Sequence, residues 1–321
     1  MDSECLSTPK ARHYPQVLIP ELAGLRRPLW RHHVPAVWRD ATSMQLADDV
    51  IIDRLSPHHI AWLRRLDGSS TADDLAIDMP IGLDEARRLV RCLLAAGALV
   101  DAARLPAGLR FAGPAGRAAV MRRWDAVLDT RRDLDEALRV VEARDRLRVA
   151  ITGTGELRDA IAAALEASGL VEVAAMDKAT CLVLADAHHP DVPALVEAGE
   201  LDLPHLHVGA RGDRATIGPL VVPGVTACLR CAHLHQRDRD RAWPLMAVQW
   251  SQSAHDGEHA DPLVVGLAAA HAVHLLRSWA DAPGERGPWA DLAVELRLSE
   301  LTGRCVPRPA HPLCGCRWAA A

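Results

Sequence analysis

Four cysteines in two close pairs carry the clearest chemistry in this chain: Cys228-Leu229-Arg230-Cys231, and Cys314-Gly315-Cys316. Four thiolates are the full ligand set of a tetrahedral structural Zn²⁺ site, and they leave no open position for catalysis. The stretch between Cys231 and Cys314 is too long for a zinc finger. A shared metal would therefore pin the second pair onto a domain folded by the residues between. The competing reading is four separate thiols, since cysteine also serves as a small apolar core residue. His233 and His235 follow the first pair and are candidates for the metal's surroundings.

A second candidate is the turn Thr152-Gly153-Thr154-Gly155-Glu156, placed between an apolar strand and a helix. Such turns cradle phosphates on the backbone N–H groups of a helix N-terminus. Gly153 and Gly155 supply two glycines of the G-x-G-x-x-G pattern, and Asp177 falls about 20 residues on, where a ribose-binding acid stands. The third glycine position holds Arg158 instead. Two readings stay open: a degenerate nucleotide site, and a Rossmann-like scaffold that binds no nucleotide, so that ATP is not expected. The remaining reactive residues form no pattern. His32-His33, His58-His59 and His188-His189 read as surface pairs, His271 and His274 as helix neighbours, and Cys5, Cys92, Cys181 and Cys305 stand alone.

The elements that must position these groups divide the chain into four parts. Residues 1–27 are expected to be a flexible N-terminus. Residues 28–101 alternate short strands (Val34 to Trp38, Thr42 to Leu46, Val50 to Ile52) with three helices. Ser56-Pro57 opens the first of these helices as N-cap and proline. Thr71 opens the second, and Gly82 leads into the third, whose stripe is Ala86, Leu89, Val90, Leu93 and Leu94. Gly97 ends it and Ala98-Leu99-Val100 returns as a strand. Helices with a small sheet in this order make a winged-helix-like module. Residues 102–146 read as a connector loop and polar helix. Residues 147–318 alternate strands and helices, which implies an α/β domain with a parallel, doubly wound sheet. Arg237 to Arg241 reads as an exposed charged loop.

A winged helix has two uses. As a DNA reader it needs cations on its third helix; Arg87, Arg88 and Arg91 are there, but Asp73, Asp74, Asp78, Asp84 and Glu85 surround them. As a peptide receptor it accepts an added strand along its sheet edge. That site would be Val50, Ile51, Ile52 and Asp53 with Arg87, Arg88 and Arg91.

Composition narrows the class. The chain of 321 residues is 49% hydrophobic, with 37 basic and 42 acidic residues and a net charge of −5. That balance argues against a general nucleic-acid binder. No apolar run is expected to reach the roughly 18 residues of a membrane span, and Pro262 to Leu276, with two histidines inside it, reads as a buried helix. Met1 to Tyr14 lacks the apolar stretch of a signal peptide. Eight cysteines then fit a reducing cytoplasm, where close pairs bind metal more often than they form disulfides.

In this order the parts resemble a known family, the ThiF-like (ubiquitin-activating-enzyme-like) proteins that accompany YcaO cyclodehydratases in making thiazole/oxazole-modified peptides. The resemblance spans residues 28–318. It rests on Gly218-Pro219-Leu220-Val221-Val222-Pro223-Gly224-Val225-Thr226-Ala227-Cys228-Leu229-Arg230-Cys231, on His311-Pro312-Leu313-Cys314-Gly315-Cys316, and on Leu66-Asp67-Gly68 in the front module. It implies four cysteines on a structural zinc, and a front module that binds the leader of a precursor peptide by strand addition. A separate YcaO-type partner would then use ATP to cyclise the core peptide. It also implies dimerisation as an option, with the 262–276 helix as one surface. The chain departs from adenylating relatives at Arg158, after Asp177-Lys178, and in lacking a thioester cysteine. A non-catalytic accessory scaffold is therefore expected. The rivals are an active adenylyltransferase and a zinc-containing DNA-binding regulator.

Overall fold

The computed structural model describes residues 26–31, 34–46, 50–105, 127, 134–186, 192–252, 260–282, 286–300 and 302–316. The expected loop and first half of the connector helix, most of the flexible N-terminus, His32, His33, His188, His189 and Cys5 lie outside these residues. The chain divides into two units, Met1–Leu134 and Asp135–Ala321.

The first unit begins with β1 (Pro28–Trp30), followed by β2 (Ala36–Trp38), β3 (Met44–Leu46) and β4 (Val50–Ile52). These lead into α1 (Pro57–Leu63), α2 (Ala72–Asp78) and α3 (Leu83–Ala95), and β5 (Leu99–Asp101) closes the unit. β2, β3 and β4 form an antiparallel sheet in that order, and β1 pairs separately with β5. The helix starts are chemically specified. Ser56 accepts from the His59 N–H while the His59 ring accepts from the Ser56 N–H, a reciprocal cap that satisfies two otherwise orphaned donors. Thr71 accepts from the Asp74 N–H at 3.0 Å. The apolar stripe of α3 buries Ala86, Leu89, Val90 and Leu93 against Trp62, Ile52 and Leu46 in one core. Gly68 is required where it stands: its φ is 77° and a Cβ would meet the Ala102 Cβ at 2.5 Å, so β1 and β5 close over it.

The second unit opens with α4 (Leu134–Arg146), tied by a two-point Arg144–Asp281 ion pair with both contacts at 2.6 Å. It continues with β6 (Arg148–Thr152), α5 (Glu156–Ser168), β7 (Val171–Glu172), β8 (Cys181–Asp186), α6 (Val192–Glu200), β9 (His205–Arg211) and β10 (Arg214–Val221). α7 (Leu229–Arg239), α8 (Trp243–Gln252), α9 (Pro262–Ala280), β11 (Leu292–Arg297) and β12 (Arg304–Pro307) complete it. The seven strands form one sheet in the order β12-β11-β10-β9-β8-β6-β7. Strand periodicity sorts the side chains to two faces. Val149, Val183, Leu206 and Val208 pack with α5 and α9, while Ala150, Leu182 and Leu184 pack with Ala198 of α6 and Leu229 of α7.

Three details differ from expectation. The sheet is mixed, not wholly parallel: β7, β6, β8 and β9 run parallel, while β9 to β12 are antiparallel. The reason is connection length. Only Gly212 and Asp213 join β9 to β10, and a two-residue link can make a hairpin but no crossover. Arg237 to Arg239 are the last turn of α7, with the loop starting at Asp240. The apolar 262–276 run extends to Ala280, so α9 has the length and composition to cross a membrane; half of its apolar window is buried, with nine of its residues in the core.

Candidate functional site

Metal chemistry converges at one end of α7. Cys228 is the N-cap of this helix and Cys231 lies in its first turn. That placement sets both thiols at the positive end of the helix dipole, which favours thiolates. The preceding loop is held from several sides. Buried Thr226 accepts from the Val222 N–H at 2.8 Å and donates to the Leu220 carbonyl at 3.1 Å. Asp291 accepts from the Ala227 N–H at 2.7 Å, and Arg286 clamps both Asp291 and the Val225 carbonyl.

The second pair arrives after β12. His311 is buried, accepts the Leu313 N–H at Nδ1 (3.1 Å) and faces Asp238 Oδ2 from Nε2 at 2.8 Å. With Nδ1 an acceptor, Nε2 carries the proton and donates it to Asp238. The His235 ring packs edge-on against His311 at 4.7 Å, and its Nε2 lies 3.2 Å from the Pro309 carbonyl. His233 turns elsewhere, accepting the Trp243 indole N–H at 3.2 Å. Gly315 has φ 71°, a left-handed conformation that lets a one-residue spacer aim both flanking sulfurs to the same side.

The four Sγ atoms all lie within 4.8 Å of one another. Cys228 and Cys314 are 3.3 Å apart, Cys231 and Cys316 3.4 Å, and Cys228 and Cys231 3.9 Å. A tetrahedron with metal–sulfur bonds of about 2.3 Å has edges of about 3.8 Å. The cluster therefore has the dimensions of a four-thiolate metal site. Burial pushes the Cys228 and Cys231 thiols up. Cys316 moves down in spite of burial, because the Cys228 backbone and the neighbouring sulfurs hydrogen-bond to it. Crowded, half-buried thiols of this kind ionise together only around a cation, whose charge inverts the cost. These residues fit a divalent metal that would tie β12 and its sequel to α7.

The glycine turn is built differently. Gly153 has φ 96°, and a Cβ there would stand 1.9 Å from the Ala185 carbonyl oxygen. The glycine is thus demanded by the neighbouring strand β8. Gly155 has φ 82° as the N-cap of α5, with open space around it. The first turn of α5 carries Glu156 and Asp159, whose charges oppose a phosphate at those N–H groups. Arg158 is paired with Glu172 and Asp159. Asp177 is exposed in a 3₁₀ turn, Met176–Lys178, beyond the two-residue β7.

In the first unit, β4 pairs with β3 on one side and is the last strand of its sheet. Ile51 and Ile52 are buried and Val50 half-buried. Two of the three α3 arginines are engaged: Arg87 with Asp73 at 2.8 Å, and Arg88 with Glu85. Exposed Arg91 has no ion-pair partner among the described residues. Sequence reasoning missed Asp238, Asp291 and Arg286, because nothing in their spacing links them to the cysteines they support, and it gave Thr226 no role of its own.

No family model matches the chain, and no curated protein matches it. Solved structures do. The heterocyclase TruD superposes with a TM-score of 0.58 at 19% identity, over 91% of this chain and 42% of its own. A heterocyclase in complex with substrate and cofactor gives 0.58 at 16% identity, over 90% of this chain and 39% of that one. E. coli MccB with AMPCPP and MccA gives 0.52 at 12% identity, over 90% and 99%. The chain thus has the fold of these proteins and spans well under half the length of the heterocyclases.

Proposed function

We propose that this chain is an accessory scaffold of ribosomal-peptide modification. Its winged-helix-like first unit, residues 28–101, captures the leader of a precursor peptide. Its zinc-clamped, ThiF-like second unit adenylates nothing itself. The core peptide is presented to a separate YcaO-type ATP-dependent cyclodehydratase in the cytoplasm. The observation that carries this reading is the β4 edge, which has no neighbouring strand on its outer side among the described residues and lies beside α3. It offers backbone N–H and C=O groups to an incoming strand. The likeness in fold to heterocyclases, across nine-tenths of this chain, supports the setting.

The reading of the second unit rests on the acidic first turn of α5, which repels a triphosphate, and on Arg158, whose charge is taken up by Glu172. The four-cysteine cluster, with tetrahedral dimensions, supports zinc as the metal. Adenylation remains the second reading, favoured by the likeness to MccB solved with AMPCPP.

Fluorescence polarisation with a panel of labelled precursor leaders tests capture. Ile51→Pro removes an N–H that the register turns away from β3, as proline in an edge strand requires, and Arg91→Glu reverses an exposed charge. Each should weaken leader affinity about tenfold or more, or roughly 1.4 kcal/mol. Unchanged affinity in both variants would contradict the assignment.

A further inference from the structure

The second unit holds a cavity of about 470 Å³ bounded by β9, β10, α7, the start of α8 and the end of β12. Neither Gly153 nor Gly155 lines it, so it is separate from the glycine turn. Its volume lies in the range of sites that take an organic ligand, far above what a bare phosphate fills. The wall carries Arg211, Arg239 and Arg308 and no aspartate or glutamate. Arg211 and Arg239 are exposed and so stand at the rim. Arg308 is half-buried and shares its charge with Glu295 at 3.1 Å.

Deeper in, the character changes. His207, Pro219 and Leu229 are buried. Half-buried Trp243 is steadied by its hydrogen bond to His233. A floor of proline, leucine and indole beneath a cationic rim suits a ligand with an apolar group between flanking anions. An extended nucleic acid would instead call for a basic track with several stacking rings along it, and here the one indole, Trp243, sits in a recess.

We propose that the cavity docks an acidic peptide segment, which inserts an apolar side chain between Pro219 and Trp243 and sets its carboxylates against Arg211, Arg239 and Arg308. The proposal rests on the reading of the chain as a peptide-handling protein, but it uses residues of the other unit from the β4 edge. Guanidinium–carboxylate pairs are the stronger, bidentate kind, and rim charges act mainly on approach and selectivity.

The test titrates the full, metal-loaded chain into fluorescein-labelled acetyl-Glu-Glu-Leu-Glu-Glu-amide. Saturable binding should weaken with salt and fall about tenfold in Arg211→Glu/Arg239→Glu, a loss in the range of close charge pairs. Both positions are exposed, and melting temperature and metal content measured on the same variant separate loss of binding from loss of fold. Ile51→Pro should leave this binding untouched. Equal affinity in the reversed variant, equally tight binding of a Lys-Lys-Leu-Lys-Lys peptide, or tighter binding of an oligo-dT strand would overturn the proposal. Loss of leader binding at β4 with this binding intact would leave the cavity assignment standing, and the reverse result would remove the cavity alone.

Discussion

Two glycine- and cysteine-marked turns in the second unit look alike in the sequence and part company in three dimensions. At the start of α7, residues from two distant segments close on one point, and every supporting group serves that closure: Asp291 on the Ala227 N–H, His311 on Leu313, Gly315 between the last two sulfurs. At the start of α5, Gly153 answers to the carbonyl of Ala185, while Glu156 and Asp159 put negative charge in the first turn and Arg158 is paired with Glu172. A motif glycine can therefore be demanded by packing alone. A ligand set of four convergent sulfurs has no comparable packing excuse.

The largest effect should come from breaking the first turn. Cys231→Ser, or removal of metal with a strong chelator, should strip the metal and destabilise the second unit by several kcal/mol, since structural zinc contributes its binding energy to folding. Metal analysis beside thermal unfolding would check this, and a full metal load in Cys231→Ser would count against the four-cysteine assignment.

Next in size is the contrast within the glycine turn. Gly153→Ala must move the Ala185 backbone and should cost about 3 kcal/mol or more, combining overpacking with a positive φ. Gly155→Ala meets open space and should cost about 1–3 kcal/mol for its backbone conformation alone. Denaturant unfolding of both variants measures the difference; equal losses would refute the packing explanation.

In the first unit, Ser56→Ala should cost about 1 kcal/mol by removing the α1 cap, and the same unfolding assay would read it.

The smallest effect is electrostatic. Arg304 holds the Glu295 carboxyl below its ordinary value of 4.5, mainly through a hydrogen bond, and Arg308 adds to this. A depressed carboxylate contributes stability above its unfolded pKa and loses it as pH falls through the folded one. Glu295→Gln should therefore flatten the acid limb of stability below pH 4.5 by less than about 1 kcal/mol, as half-exposed pairs do. A pH series of melting temperatures tests the sign.

Much of this was legible in the sequence, for identifiable reasons. Ser56-Pro57, Thr71, Gly97 and the α3 stripe act over one helical turn, so local chemistry announced them. The cysteine pairs were legible because metal spacing is short-range within each pair. Strand direction beyond β9 was not, since helix and strand alternation overlooked a two-residue hairpin. The role of Gly153 was hidden because it depends on β8; of the α3 arginine pairs, Glu85–Arg88 follows from helical spacing, whereas Arg87–Asp73 joins two helices and does not.

The most direct measurement is calorimetric titration of ATP–Mg²⁺ into the metal-loaded chain, with zinc assayed on the same sample. The account predicts one zinc per chain and no heat of nucleotide binding. Saturable ATP binding would contradict it and move adenylation to first place.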